Sequence, residues 1–230
     1  MDVTKDGMML ESIPEKERTL KICMAAVKEN GYALQFVPAG MKQELSLTAV
    51  TSNGNALRFV PNKTPPICLA AVKQFGPVLG IVPDKTREIC VAAVKQNGMA
   101  LQYVPAKWKQ DLALTAVTSY GSALQFVHDK TREVCLAAVK QNGLALEFVP
   151  DGLKQALSME AVKTTGMALQ YVSTKTREIC LAAVKQNRAA LDYVPVNMRQ
   201  SIANTKGMLG KIKGLFGFGR TRRKTSKRYR

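Results

Sequence analysis

The chain has 230 residues, of which 46% are hydrophobic, and its 34 basic and 17 acidic residues give a net charge of +17. This apolar content is enough for one extended domain with a continuous core and excludes a chain that is disordered throughout. No run approaches the roughly 18 uninterrupted apolar residues of a membrane-spanning helix. The first ten residues do not resemble a signal peptide, because Asp2, Lys5 and Asp6 interrupt them. We therefore expect a soluble or peripheral protein.

A lead-in over residues 1–17 precedes a unit of 22–23 residues that occurs eight times between residues 18 and 204. Each unit has an Ala-Val pair, then a Leu seven residues later and another Val three residues after that, as in Val139, Leu146 and Val149. The paired valines are Val27, Val50, Val72, Val94, Val117, Val139, Val162 and Val184. A fixed short period predicts a solenoid, in which each unit buries its apolar face against the next.

Each unit is predicted to contain two helical segments. In unit six, Asp129 or Thr131 caps a helix that runs through the Ala-Val pair. Gly143 follows this helix, where we expect a left-handed backbone that is inexpensive only for glycine. Residues 144–149 form a second, shorter apolar segment. A strand, as in leucine-rich repeats, is the alternative for this segment, but the Leu-x-x-Leu-x-Leu-x-x-Asn run is absent. We predict an all-α fold, an α-solenoid of eight helical hairpin units.

Two types of unit are present. Five units, type A, have a Cys four residues before the paired Val, and three, type B, have instead Leu45, Leu112 or Leu157 near this place. The order A-B-A-A-B-A-B-A indicates a paired period of 45 residues. Unit three, near residues 62–83, carries Pro65 and Pro66 at its entry, and we expect a bend or packing defect there.

The five cysteines occupy one position of the unit. Equivalent positions of adjacent helices should lie about 10 Å apart, whereas a disulfide needs Cα atoms within about 7 Å. We therefore expect buried free thiols in a reducing compartment, such as the cytoplasm, a virion, or a host cytoplasm or nucleus. The cysteines are Cys23, Cys68, Cys90, Cys135 and Cys180.

No pattern points to catalysis, a cofactor, a metal or a small-molecule substrate. The chain has no Gly-rich phosphate loop and no nucleophile paired with a base. His128, the single histidine, stands where most units have a turn proline, and we expect it to be a turn residue. Trp108 is expected to be an apolar plug between units. We therefore predict that the protein is not an enzyme.

Rows of polar residues are the first candidate binding feature. A lysine follows the paired valine in six units, and a ladder of this kind is suited to an acidic partner. A solvated face is the simpler interpretation of the same pattern. A row of glutamines occurs in the second segment, at Gln35, Gln102, Gln125 and Gln170. The lysines are Lys28, Lys73, Lys95, Lys140, Lys163 and Lys185.

The C-terminal tail, residues 205–230, is the second candidate. It holds ten of the 34 basic residues and no acid, which leaves the rest of the chain with 24 basic against 17 acidic residues, a net charge of +7. An apolar part, residues 208–219, precedes a basic run, and we expect the tail to be disordered. Anchoring on an anionic membrane, phosphate binding to nucleic acid and nuclear import remain open for it. The predicted polyanion-binding residues are Lys211, Lys213, Arg220, Arg222, Arg223, Lys224, Lys227, Arg228 and Arg230.

The run Glu-Ile-Cys-Leu-Ala-Ala-Val-Lys-Gln-Asn, which begins at Glu178, resembles the repeat called domain of unknown function 4116. The resemblance covers about residues 18–196. It implies a helical repeat protein from a giant virus, a protist or an intracellular bacterium that secretes effectors, and it implies no activity.

Three functions follow from these observations. The favoured one is a non-enzymatic repeat scaffold, or protein-interaction module, whose cationic tail tethers it to nucleic acid or an anionic membrane. The first alternative is a solenoid that binds nucleic acid through its repeat surface. The second is an effector that binds a host protein and whose tail is incidental.

Overall fold

The computed structural model describes residues 2–205 and contains no strand within that range. This confirms the all-α prediction and rejects the strand alternative for the second segment. Each of the eight units is one α-helix followed by one six-residue 3₁₀ helix, labelled η. The α-helices are α1 (Leu20–Glu29), α2 (Ala39–Ser52), α3 (Pro65–Gln74), α4 (Arg87–Gln96), α5 (Ala106–Ser119), α6 (Arg132–Gln141), α7 (Asp151–Thr164), α8 (Arg177–Gln186) and α9 (Val196–Ala203). The 3₁₀ helices are η1 (Gly7–Ser12), η2 (Glu15–Glu17), η3 (Gly31–Phe36), η4 (Gly54–Phe59), η5 (Gly76–Ile81), η6 (Gly98–Tyr103), η7 (Gly121–Phe126), η8 (Gly143–Phe148), η9 (Gly166–Tyr171) and η10 (Arg188–Tyr193).

The units stack into two layers. Each α-helix packs against the α-helices before and after it, and η3 to η10 pack on one another in the same order. The helices α2 to α8 each also contact the two 3₁₀ helices that flank them in sequence, as α2 contacts η3 and η4. The core lies between the layers and contains the paired alanine and valine of every unit, together with the Leu of η3 to η9, which is fully buried.

Capping residues set where each helix begins and ends. In four of the five type A units the hydroxyl of a threonine accepts a hydrogen bond from the third helical N–H, as Thr131 does from Val134 at 3.4 Å, so Thr131 rather than Asp129 is the cap. Thr64 of unit three makes no such bond. In five of the eight units an asparagine then serves both helices. The Asn142 N–H donates to the last turn of α6, and its side-chain oxygen accepts from the Leu144 N–H at 3.0 Å. The α-helices of type B begin directly after a proline and have 14 residues in α2, α5 and α7, against ten in type A.

The glycine between the two helices is required for a reason that differs from our prediction. None of the described glycines has a positive φ, so the expected left-handed backbone at Gly143 is wrong. A Cβ added to Gly143 would instead collide with the Ala161 carbonyl oxygen of α7 and lie 2.9 Å from Thr165. At Gly54 the corresponding distance to the Ala71 carbonyl oxygen is 2.5 Å. Close approach between successive units, and not backbone conformation, therefore excludes a side chain here.

Glutamine side chains connect successive units. Gln96, at the end of α4, accepts from the Gly76 N–H at 2.6 Å and donates to the Gln74 carbonyl at 3.3 Å. Gln141 and Gln186 make the same backward contacts. In type B units a different glutamine reaches forward and bonds both backbone groups of the residue 19 positions later. Its contacts are Gln43 with Asn62, Gln110 with Asp129, and Gln155 with Thr174.

Two places depart from the regular stack. The contact between η4 and η5, at unit three, is the least extensive between neighbours of the η layer. At the N-terminus, η1 places Gly7 against the Ala26 carbonyl oxygen and buries Leu10 completely. It therefore repeats the second half of a unit within the segment that our sequence analysis treated as a lead-in.

Candidate interaction surface

The outer surface of the α layer, the α surface, carries the predicted lysine row. All six lysines are exposed, and each is the residue before the last of its α-helix. A cation at this end interacts favourably with the helix dipole, which explains why the position accepts lysine. Within residues 2–205 none of the six makes an ion pair or a side-chain hydrogen bond. Their charges are therefore available to a partner.

A row of large apolar side chains runs beside the lysines, and our sequence analysis missed it. Each member lies three residues before the paired valine and four before the lysine position, so the two positions stack on the same face of the helix. Leu47 and Leu114 are 51% and 41% exposed, and the other six are partly buried. This apolar row consists of Met24, Leu47, Leu69, Val91, Leu114, Leu136, Met159 and Leu181.

The opposite edge of the α surface has mixed charge. Acidic residues occur three positions before the apolar row in five units, and arginines precede three of them. Arg87 lies 3.9 Å from Asp111 of the next helix. A backbone N–H at the start of α8 and the Thr176 hydroxyl lower the pKa of Glu178, so this carboxylate is engaged by its own helix end. Asp111 and Glu178 are accordingly offset by their surroundings. The acids at this edge are Glu44, Glu88, Asp111, Glu133 and Glu178.

Two shallow grooves, each of about 450 Å³, lie on the α surface. The groove between α3 and α4 is lined by the apolar Leu69, Val91 and Ala92, by Lys73 and Lys95, and by Glu88 and Gln96. The other groove is lined by Lys28 and Leu47 together with polar residues of α2. Both grooves thus combine the apolar row with members of the lysine row.

The outer surface of the η layer is different in character. One position of the 3₁₀ helix holds a partly buried or exposed aromatic ring in seven units and Ile81 in unit three. Tyr103 lies beside Gly80 of the preceding unit, 3.1 Å from the place of an added Cβ. Burial and the neighbouring Glu147 carboxylate raise the pKa of Tyr171. In the predicted glutamine row, Gln102 and Gln125 donate to carbonyls of their own 3₁₀ helices, so those amides are already engaged.

The five cysteines are free and buried, as predicted. Burial is the main cause that raises the pKa of each thiol, and a nearby basic residue opposes it. Cys68 donates to the Lys63 carbonyl at 3.4 Å. Among the described residues no three His, Cys, Asp or Glu side chains come together as a metal site would require. No helix of that part of the chain has the length and apolar character needed to cross a bilayer.

The other residues that the sequence analysis singled out lie away from the two rows or outside the described residues. His128 is an exposed turn residue, and Trp108 packs against the core with the Lys107 ammonium 4.3 Å from its ring centre. The nine predicted polyanion-binding residues, Lys211 to Arg230, lie outside the described residues, as does the tail from residue 206 onward.

A family model described as Domain of unknown function (DUF4116) matches the chain four times, at residues 19–64, 65–109, 110–154 and 157–199. Each match covers two successive units, which agrees with the paired period of 45 residues. No curated protein and no solved structure matches the chain.

Proposed function

The chain belongs to this family of helical repeats, and from that premise we propose that it is a non-enzymatic scaffold that binds another protein through its α surface. The basic tail tethers the scaffold to a polyanion, either nucleic acid or an anionic membrane. The observation that carries the proposal is the pair of parallel rows on the α surface, one of lysines without internal partners and one of partly exposed apolar side chains.

The pairing of the two rows favours a protein partner. A surface that binds the phosphates of nucleic acid needs cations, and one that reads single strands adds aromatic platforms. The α surface instead places aliphatic side chains and methionines beside its cations. An apolar core with a charged flank is the composition of a protein–protein interface. A nucleic-acid-binding solenoid is therefore the second candidate, favoured only by the lysine row.

The tail function rests on composition, since ten basic residues and no acid lie within residues 205–230. Counterion release makes such binding strongly salt-dependent. The same composition fits an effector or a viral protein that acts in a host, but the tether does not depend on that origin.

The test separates the tail from the body within the full-length chain. One variant replaces the seven basic residues from Arg220 to Arg230 by Gln, and the other replaces the six lysines of the lysine row by Gln. Binding to duplex DNA, RNA and anionic vesicles is measured at several salt concentrations. We expect the tail variant to lose most of the polyanion binding and the row variant to retain it. Retention by the tail variant together with loss by the row variant would contradict the tether and favour the nucleic-acid-binding solenoid.

A further inference from the structure

The α surface repeats at a spacing that a partner can match. Packed α-helices lie about 8–10 Å apart, so the apolar row presents one side chain at each such step along the array. A partner α-helix rises about 1.5 Å per residue and therefore advances about 10 Å in seven residues. Seven residues are nearly two turns, so side chains at that spacing return to the same face of the helix. An extended chain covers about 10 Å in three residues, and since its side chains alternate, consecutive contacts would point to opposite sides.

The charges of the α surface determine which side chains a partner helix needs. The lysine row lacks internal partners, whereas Asp111 pairs with Arg87 at the opposite edge. The six lysines of the row and the three arginines of that edge outnumber its five acids, so these residues carry a net positive charge, and the body as a whole carries +7. This opposes a second copy of the same surface and favours an acidic partner.

From this spacing and charge we infer that the α surface binds an amphipathic helix of a partner protein, laid along the apolar row. The helix has an apolar residue about every seventh position and acidic residues on the flank that faces the lysine row. The groove between α3 and α4 is its main anchor, because two type A units adjoin there and place Lys73 and Lys95 along the same side of Leu69 and Val91. This inference rests on the proposed function and specifies its partner.

The experiment uses the full chain and two synthetic peptides of identical composition. The first, of four heptads, has Leu at every seventh position with Glu on one flank. The second has its Leu residues at intervals of five, which retains helicity and charge but removes the common face. Binding is measured by fluorescence anisotropy at physiological salt. We expect the first peptide to bind at least about tenfold more tightly, because its apolar contacts are made simultaneously.

Matched variants locate the site. The double variant Lys73→Glu/Lys95→Glu should weaken binding of the first peptide by about tenfold. Lys16→Glu/Lys107→Glu makes the same charge change away from the lysine row and should leave binding within about twofold. Leu114→Ser tests the apolar row at a side chain that is 41% exposed, and circular dichroism verifies that each variant is folded. Weaker binding by Leu114→Ser and by the lysine double variant, but not by the control, is the expected result.

The possible failures are distinguishable. Equal affinity for both peptides, with loss in the lysine variant, would reject the helical partner and leave the protein-binding scaffold in place. Binding that none of the α-surface variants changes would reject both the inference and the α surface as the binding face. Sedimentation of the chain alone adds one further outcome. A dimer that Lys73→Glu/Lys95→Glu dissociates would identify a second copy as the occupant and overturn the inference.

Discussion

Two regions of the molecule repeat with equal regularity, but for different reasons. One is the contact between the α layer and the η layer, called the seam here, which contains Gly143 and Leu146, and the other is the α surface. At the seam, Gly143 is fixed because α7 approaches too closely for any side chain, and Leu146 is fully buried. At the α surface, Lys140 has no internal partner and Leu136 is partly exposed. Packing therefore dictates the residues of the seam, whereas at the surface it constrains Leu136 only in part and leaves Lys140 free. Repetition that packing does not require is the stronger indication of binding.

The largest expected contrast is between two leucines. Leu146→Ala at the seam removes a completely buried side chain and should lower the free energy of unfolding by about 2–5 kcal/mol. Leu114→Ala in the apolar row, at a side chain that is 41% exposed, should cost less than about 1 kcal/mol. Urea unfolding of both variants measures the difference, and equal losses would mean that the apolar row belongs to the core.

Two glycines provide the next contrast. Gly143→Ala should destabilise by about 1–3 kcal/mol, because the added Cβ meets the Ala161 carbonyl and one helix must shift. Gly152→Ala, in α7, has no atom within 4 Å of the added Cβ and should be neutral or stabilise by about 0.4–1 kcal/mol. Thermal and urea unfolding measure both. A neutral Gly143→Ala would show that the close approach at the seam is absent.

A smaller loss is expected at the glutamine contacts. Gln96→Ala removes the acceptor of the Gly76 N–H, which lies 2.6 Å away, and should cost about 0.5–1.5 kcal/mol. The control is Gln125→Ala, because the Gln125 amide bonds within its own 3₁₀ helix and is exposed. Amide hydrogen exchange adds a local measurement, since protection of Gly76 should fall only in the first variant. Unchanged protection would assign that N–H another acceptor.

The smallest effect is expected from pH, through the buried thiols. Burial raises the pKa of Cys90 above its ordinary value of 9.0, so the folded chain retains a proton that the unfolded chain releases near pH 9. Since the native state then binds more protons, the free energy of unfolding should fall as the pH rises from 8 to 10. Below pH 8 the thiols are protonated in both states and should add nothing to the pH dependence of that free energy. Urea unfolding at several pH values, on the chain and on a variant with all five cysteines replaced by Ala, measures the thiol part. An identical pH dependence in the two proteins would contradict the predicted effect of the thiols.

Local patterns were sufficient for much of the fold. The spacing of Val139, Leu146 and Gly143 predicted the unit, and the apolar neighbours of the cysteines predicted their burial. The reason for the glycine at position 143 was not predictable, because a glycine suits both a left-handed backbone and a close approach. Only the position of Ala161 in the next unit shows that the close approach is the reason. The Gln96 contact was missed because its partner Gly76 lies 20 residues away.

Of the two rows that form the candidate site, only the lysine row was predictable from the sequence. Lysines in one position of the unit indicated a row, and all six of them are exposed in the structure. The apolar row was hidden, because Leu136 adjoins buried residues in sequence and composition alone does not show which side of a helix is covered. Its signal was nevertheless present, since all eight units have a large apolar residue three positions before the paired valine.

The glycine contact at the seam also bears on how an array of this kind grows by duplication of its coding segment. A unit copied between two existing units meets a glycine on its N-terminal side, so the new helix fits without adjustment. After unit eight the position is occupied by Arg188, and α9 has eight residues instead of the 14 of α2. A full unit appended there would bring its alanine carbonyl against the Arg188 Cβ. Changing Arg188 to Gly is therefore the first step in engineering a longer array.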